Sequence, residues 1–389
     1  MTRWSEGMFH VKQWGGWSHL KKLPPRRLPL PWSAMVGWLL VSLFLGSACS
    51  AQYLGWSGPV VEGNVLYAVS TQGQLLAVEL PPTGMEKWKF PANKEDGALG
   101  GVYDTPFLTD NTLYVGSYTG KILALDAATG AKRWEFTTGG PIIGRPIVAQ
   151  GVVLAGSSDG KLYALNAENG EPRWAPFKAE AAIWGSPAVA EGKVFFGTLG
   201  HRFYALNLSD GTLAWEPFQT KGAVASTPVV VEGTVYFGAS DSAFYALDAA
   251  TGQPRWAQPF KARNWFWTQA LVRDGVIYVG SLDHLVYAID AKTGTARWRE
   301  PFVTNGPVRT PPLLVDDTLL VASNDTRLYF LDPKTGAEKR SLFTDDAIQA
   351  PLFLTQDKVY LSTTKQSVYS WDRSSGEWRK VLPQEGTAK

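Results

Sequence analysis

The sequence predicts an all-β protein: an eight-bladed β-propeller with four antiparallel strands per blade, preceded by a signal segment. Three observations lead there. A unit of 40 to 46 residues recurs eight times. Each copy divides into four strand-like pieces separated by turn residues. The composition suits short strands: 13% of the 389 residues are aromatic, with 17 Trp, beside 39 Gly and 25 Pro. Short strands joined by tight turns use these residue types, and long helices do not. With 45% apolar and 19% charged residues, the chain also has the wrong balance for disorder or a coiled coil.

The repeat is clearest in the stretch ending at Trp256, where Tyr-Ala-Leu-Asp-Ala-Ala-Thr-Gly precedes Gln-Pro-Arg-Trp. Its Gly returns as Gly84, Gly130, Gly170, Gly211, Gly252, Gly294, Gly336 and Gly376. Four residues later stand Trp88, Trp134, Trp174, Trp215, Trp256 and Trp298; the seventh copy has Arg340 there, and the eighth brings Trp378 two residues early. Constancy among copies marks these six Trp as blade residues that pack one blade on the next.

In the fifth copy the four pieces are residues 227–231, 234–239, 243–248 and 254–260. The second and third alternate as half-buried strands do. Glu232-Gly233 and Asp241-Ser242 supply the first two turns. In the third, Asp248 is placed to bond the turn's own N–H groups and Gly252 to take a positive φ. Four antiparallel strands per copy, eight times over, is propeller arithmetic. Residues 49–389 therefore read as a single domain.

The Ala-Leu-Asp-Ala-x-Thr-Gly-x-x-x-Trp units resemble the tryptophan-docking motif of propellers named after pyrroloquinoline quinone (PQQ). In architecture the chain is similar to the lipoprotein subunits of the outer-membrane β-barrel assembly machinery, which are also eight-bladed. That resemblance implies a non-catalytic scaffold for other envelope proteins, without a cofactor. The same blade motif occurs in PQQ-dependent dehydrogenases, the alternative it leaves open, together with a propeller that binds a sugar or another small ligand. Those enzymes add a vicinal Cys pair, a calcium site and a catalytic Asp. The sequence has one Cys, and its acidic residues fall mostly in the repeated turns.

Residues 1–48 read as an address. They carry six Lys and Arg against one Glu, so the basic charge of the chain is concentrated there and the body is mildly acidic. That balance argues against nucleic acid as a partner. An uncharged stretch from Leu28 to Ser50 follows Arg27, and its dense apolar part, residues 34–45, has the length of a signal-peptide core rather than a membrane span. It ends Leu45-Gly46-Ser47-Ala48-Cys49, resembling a bacterial lipoprotein signal, which implies lipidation of Cys49. Residues 28–48 kept as an uncleaved anchor are the alternative. Either places the body outside the cytoplasm as a membrane-tethered, monomeric propeller in the cell envelope.

Slots that vary among copies are free for function. One such slot, which stands three residues before the Pro of Ser/Thr-Pro and enters the innermost strand, reads Trp56, Tyr103, Ile143, Trp184, Ala225, Trp267, Arg309 and Gln349. With Arg145, Trp265 and Gln269 nearby, it predicts an aromatic, Arg-containing ring at one mouth of the axial channel. Aromatic residues and Arg dominate interface hot spots. The longest connection, residues 91–103 with Lys94, Glu95 and Asp96, is expected on the same face. His201 and His284 share one turn slot that holds Gly in other copies, so they read as turn residues and not as metal ligands. No metal site, nucleophile motif or dinucleotide fingerprint emerges. Gly139-Gly140-Pro141 through Gly144 falls between two blades, where it is loop chemistry.

Overall fold

The computed structural model describes residues 55–383. Among the described residues are eight four-stranded antiparallel sheets, each made of four strands consecutive in sequence. In the fifth blade these are Val229–Val231, Thr234–Gly238, Ala243–Asp248 and Phe260–Lys261, with Tyr236 opposite both Val229 and Ala246. First strands of successive blades lie side by side: Ala188–Ala190 beside Val229–Val231, and that strand beside Leu271–Arg273. The first strand is therefore innermost and the fourth outermost.

The Gly turns fold as their residues dictate. Asp248 Oδ1 accepts the N–H groups of Ala250 and Thr251 at 2.9 and 2.8 Å, and Gly252 takes φ +73°. Asp126, Asp290, Asp332 and Asp372 repeat this arrangement.

The six recurrent Trp fasten blades one to six, each to the next. Trp88, Trp134, Trp174, Trp215, Trp256 and Trp298 donate their Nε1–H to the carbonyls of Ala127, Ala167, Leu208, Ala249, Ala291 and Pro333, at 2.9–3.3 Å. Each ring lies against the following copy's turn Gly so closely that a Cβ on Gly130, Gly170, Gly211, Gly252, Gly294 or Gly336 would stand 2.6–2.8 Å from it. Burying an indole this way contributes roughly 3–5 kcal/mol.

A second lock joins the blades without announcing itself in the repeat. In the connection to the next blade, Ile142, Ile183, Val224, Phe266 and Val308 are buried against the Gly that ends a second strand. A Cβ on Gly116, Gly156, Gly197, Gly238 or Gly280 would meet these side chains at 2.1–2.3 Å.

The fourth strand differs from expectation. Residues 254–260 do not form one strand: Pro254 makes only an isolated bridge with Leu247, the chain bends, and pairing resumes at Phe260–Lys261. Blades three to six all have this broken edge, each with a Pro after the Trp (Pro176, Pro217, Pro259 and Pro301). Proline has no N–H for the ladder. Blades two, seven and eight have no Pro in the four residues after Trp134, Arg340 and Trp378 and keep outer strands of 6, 6 and 5 residues. Blade one has Pro91 three residues after Trp88 and still keeps Glu86–Phe90, which ends just before it, so the Pro alone does not break the edge.

Blades eight and one meet without a Trp lock. Their contact is an apolar cluster of Val61, Leu66 and Ala68 with Tyr360, Val368 and Val381. The hydroxyl of Ser362 donates to the Ser57 carbonyl at 2.6 Å, and Gln366 Nε2 to that of Gly55 at 3.2 Å.

Candidate functional site

The connections between blades carry the variable ring, and two sets of bonds hold them in place. Backbone N–H groups of the turns between strands two and three donate to connection carbonyls: Ser158 to Pro141, Leu199 to Ala182, Ser240 to Ala223, Leu282 to Trp265 and Asn324 to Pro307, at 2.8–3.0 Å. These turns and the connections thus share one face. Turn carboxylates add a second tie. Asp159, Asp283 and Asp325 accept the N–H groups of Gly139, Arg263 and Asn305 and the hydroxyls of Tyr163, Tyr287 and Tyr329. Burial, reinforced by the Asp159 carboxylate, pushes the Tyr163 hydroxyl up to about 12.

In the connection before the sixth blade Phe266 is buried in the blade, Trp265 is 43% exposed and Trp267 enters the axial mouth. Equivalent positions in the eight connections bring all eight variable-slot residues to one cavity of about 440 Å³: Trp56, Tyr103, Ile143, Trp184, Ala225, Trp267, Arg309 and Gln349. Arg145 and Gln269 also line it. Trp265 does not, a correction to its expected place in the ring, and its carbonyl is bound by the N–H of Leu282 and the Ser281 hydroxyl.

The ring is asymmetric. Trp184 and Trp267 sit two connections apart with centroids 6.3 Å from each other at 62°, because Ala225 between them is small. Arg309 lies over Trp267 at 5.5 Å. Burial alone pulls its guanidinium below the ordinary arginine value. Further round, Trp56 meets Tyr103 edge-on at 4.6 Å, and Arg145 lies over Phe107 at 5.6 Å. Gln269 Nε2 donates to the Pro228 carbonyl at 3.3 Å.

Sequence reasoning missed Asp104 and Ser186. Asp104 Oδ2 accepts the Arg145 N–H at 3.1 Å and the Ser186 hydroxyl at 2.9 Å, while Oδ1 accepts the Thr105 N–H. One carboxylate thereby ties three successive connections. The signal was available, since Asp104 is the only acidic residue beside the variable slot.

The other candidates are placed as follows. The connection at residues 91–103 makes a 3-10 turn over Lys94–Asp96, where Asp96 Oδ2 accepts the N–H groups of Ala92 and Asn93. Its Gly101 carbonyl accepts the Tyr118 N–H, which puts it on the cavity face. His201 and His284 take φ +63° and +70°, as turn residues in the Gly slot must. Among the described residues no three His, Cys, Asp or Glu side chains come together. Cys49 lies outside the described residues. The mouth does not fit a dehydrogenase quinone of the kind that stacks on a Cys pair beside calcium. Its lining includes no Cys, and its one acidic side chain, Asp104, is taken up by the connections.

A family model described as "Outer membrane protein assembly factor BamB" matches residues 80–270 and 263–348, over half of the chain. The chain belongs to this BamB family. It is a PQQ-like β-propeller, as the repeated motif implied. Among solved structures it is similar to BamB from Moraxella catarrhalis, with a TM-score of 0.67 and 18% identity over 81% of this chain and 96% of that one. A computationally designed protein, Ika8, matches with a TM-score of 0.70 and 15% identity over 82% of this chain and 96% of that one. A europium-containing methanol dehydrogenase matches with a TM-score of 0.61 and 14% identity over 80% of this chain and 81% of that one. At such identities these structures speak to the fold alone. No curated protein matches.

Proposed function

We propose that the chain is a non-catalytic, membrane-tethered scaffold of the cell envelope that offers its channel mouth to another envelope protein during assembly of outer-membrane proteins. Membership of the BamB family supports the scaffold role. The observation that carries the site is the convergence of all eight variable-slot side chains on one cavity, while the constant slots serve the blades. An aromatic patch that includes Arg has the composition of an interface hot spot.

On this reading residues 1–48 are the signal, residues 49–389 are a monomeric propeller, and a lipid on Cys49 anchors it. Trp56 stands seven positions after Cys49 in the sequence, so the first mouth residue follows the anchor closely along the chain.

Pull-down of the detergent-extracted full chain tests the proposal. It should recover an outer-membrane assembly protein, and the double variant W184A/W267A should lose that protein while its thermal midpoint stays within a few degrees. Unchanged recovery by the variant would remove the mouth from the interface. Dye-linked alcohol oxidation dependent on a bound quinone would remove the scaffold reading altogether.

A further inference from the structure

We propose that the channel mouth is a carboxylate-binding site in which Arg309 and Arg145 grip an acidic group of a polypeptide while Trp184 and Trp267 pack on the apolar residue beside it. This rests on the mouth being a partner site and names the chemistry the partner brings.

Two guanidiniums line the mouth, and one of them is buried. Some Arg side chains of the propeller meet carboxylates, as Arg133 does Asp126 at 2.7 Å, Arg255 Asp248 at 2.6 Å and Arg373 Asp316 at 2.6 Å, and others, such as Arg173 and Arg299, do not; what distinguishes Arg309 is burial without a partner. Among the described residues, no carboxylate stands within ion-pairing distance of Arg309 or Arg145. The Arg309 Nε is buried without a hydrogen-bond partner, and the guanidinium rests on the face of Trp267. Arg145 uses its backbone N–H in the connection, but its side chain only lies over Phe107.

A half-buried guanidinium with no anion has lost part of its hydration without compensation. Its five donors form a planar fork that matches a carboxylate. The mouth's own carboxylate cannot fill this role, since Asp104 already accepts three bonds within the connections. Arg145 leads into blade three and Arg309 into blade seven, four blades apart in a ring of eight, so they face each other across the mouth. An incoming acidic group meets positive charge on both walls and aromatic surface on the side of Trp184 and Trp267. A polypeptide carries that combination whenever an acidic side chain or a terminal carboxylate neighbours an apolar residue.

Three short peptides distinguish these sources: acetyl-Phe-Glu amide, with a side-chain carboxylate; acetyl-Ala-Phe free acid, with a terminal one; and acetyl-Phe-Gln amide, which is neutral. Each is titrated against the full chain in detergent, with tryptophan fluorescence as the readout. At least one of the acids should bind ten-fold or more tightly than the neutral peptide, with an advantage that shrinks as salt rises. R309Q should abolish the advantage, R309K should keep part of it, and neither should lower the thermal midpoint by more than a few degrees, since the Arg309 side chain meets the propeller only through the face of Trp267. R145Q should weaken acid binding without touching the neutral peptide. Equal binding of all three, binding of none, or an advantage that survives R309Q overturns the assignment. Any of those results leaves the scaffold reading to be decided separately, by the W184A/W267A pull-down.

Discussion

Gly252 lies directly under the indole of Trp215, where a Cβ would come within 2.7 Å of the ring. The two residues belong to consecutive copies of one repeat, so a turn requirement in one blade is also a docking requirement of its neighbour. Replacing Gly252 by Ala incurs both costs: about 1–2 kcal/mol for the left-handed backbone and about 1–3 kcal/mol for the overlap. Gly376 has the same backbone, φ +74°, but nothing within 4 Å of its missing Cβ, because Arg340 holds the preceding Trp slot. Gly376→Ala should therefore cost only the backbone share. Chemical denaturation of the two variants checks the difference, and equal losses would mean the indole lock carries no energy.

The seventh blade exchanges both sides of that lock at once. In blades one and two the docking Trp stands opposite a small residue: Trp88 opposite Ala77 and Trp134 opposite Ala124. In blade seven Arg340 stands opposite Phe330, its guanidinium 4.3 Å from that ring and 5.3 Å from the ring of Trp371 in blade eight. The single substitution R340W should destabilise by about 1–3 kcal/mol through overpacking. The pair F330A/R340W should regain most of the loss by rebuilding the arrangement of the other blades. A thermal melt of single and double variants decides it, and a stabilising single variant would contradict it.

Acid and alkali should each loosen the ties on the mouth face. Burial works against ionisation of Asp159, yet hydrogen bonds from Tyr163, Ser157 and two backbone N–H groups win and hold it below the usual carboxylate range. Asp345 is held down in the same way, chiefly by Lys380 acting against burial. A depressed carboxylate contributes stability that is present above the unfolded value, about 3.9, and is lost as pH falls through the folded value. The tyrosines act at the other end. Tyr163 is raised to about 12 by burial and by Asp159, and Tyr245, Tyr287 and Tyr329 are raised likewise. Their contribution is present below about pH 10 and is lost as pH climbs through the folded values. Denaturant midpoints should stay nearly level between about pH 5 and 9 and fall on either side, with Y163F flattening part of the alkaline limb. An alkaline limb unaltered by Y163F would remove that tyrosine from the explanation.

Much of this is legible in the sequence because repetition separates constant slots from variable ones. The turn Asp, the turn Gly and the docking Trp announce themselves by recurrence, and the ring of Trp56 through Gln349 by its lack of it. The fourth strand of blades three to six is harder to read because Trp256 and Phe260 read as strand formers, and a Pro after the Trp does not by itself mark the break: blade one has Pro91 at the same spacing and an unbroken strand. Trp265 is easily misplaced because simple alternation groups it with Trp267, two residues on, whereas the backbone of the connection leaves Trp265 exposed and only Trp267 in the channel. Asp104 stays hidden because its role is spatial: its partners Arg145 and Ser186 belong to connections 41 and 82 residues away.

The proposed function stands or falls on which face meets the partner: the channel mouth or the opposite face of Gly turns. Site-specific photo-cross-linking in the native envelope addresses this directly, with the reactive residue placed at Trp184, at Trp267, and at Gln253 on the Gly-turn face as control. Adducts with an outer-membrane assembly protein are expected from the two mouth positions and none from position 253. Adducts from position 253 alone would contradict the assignment of the mouth.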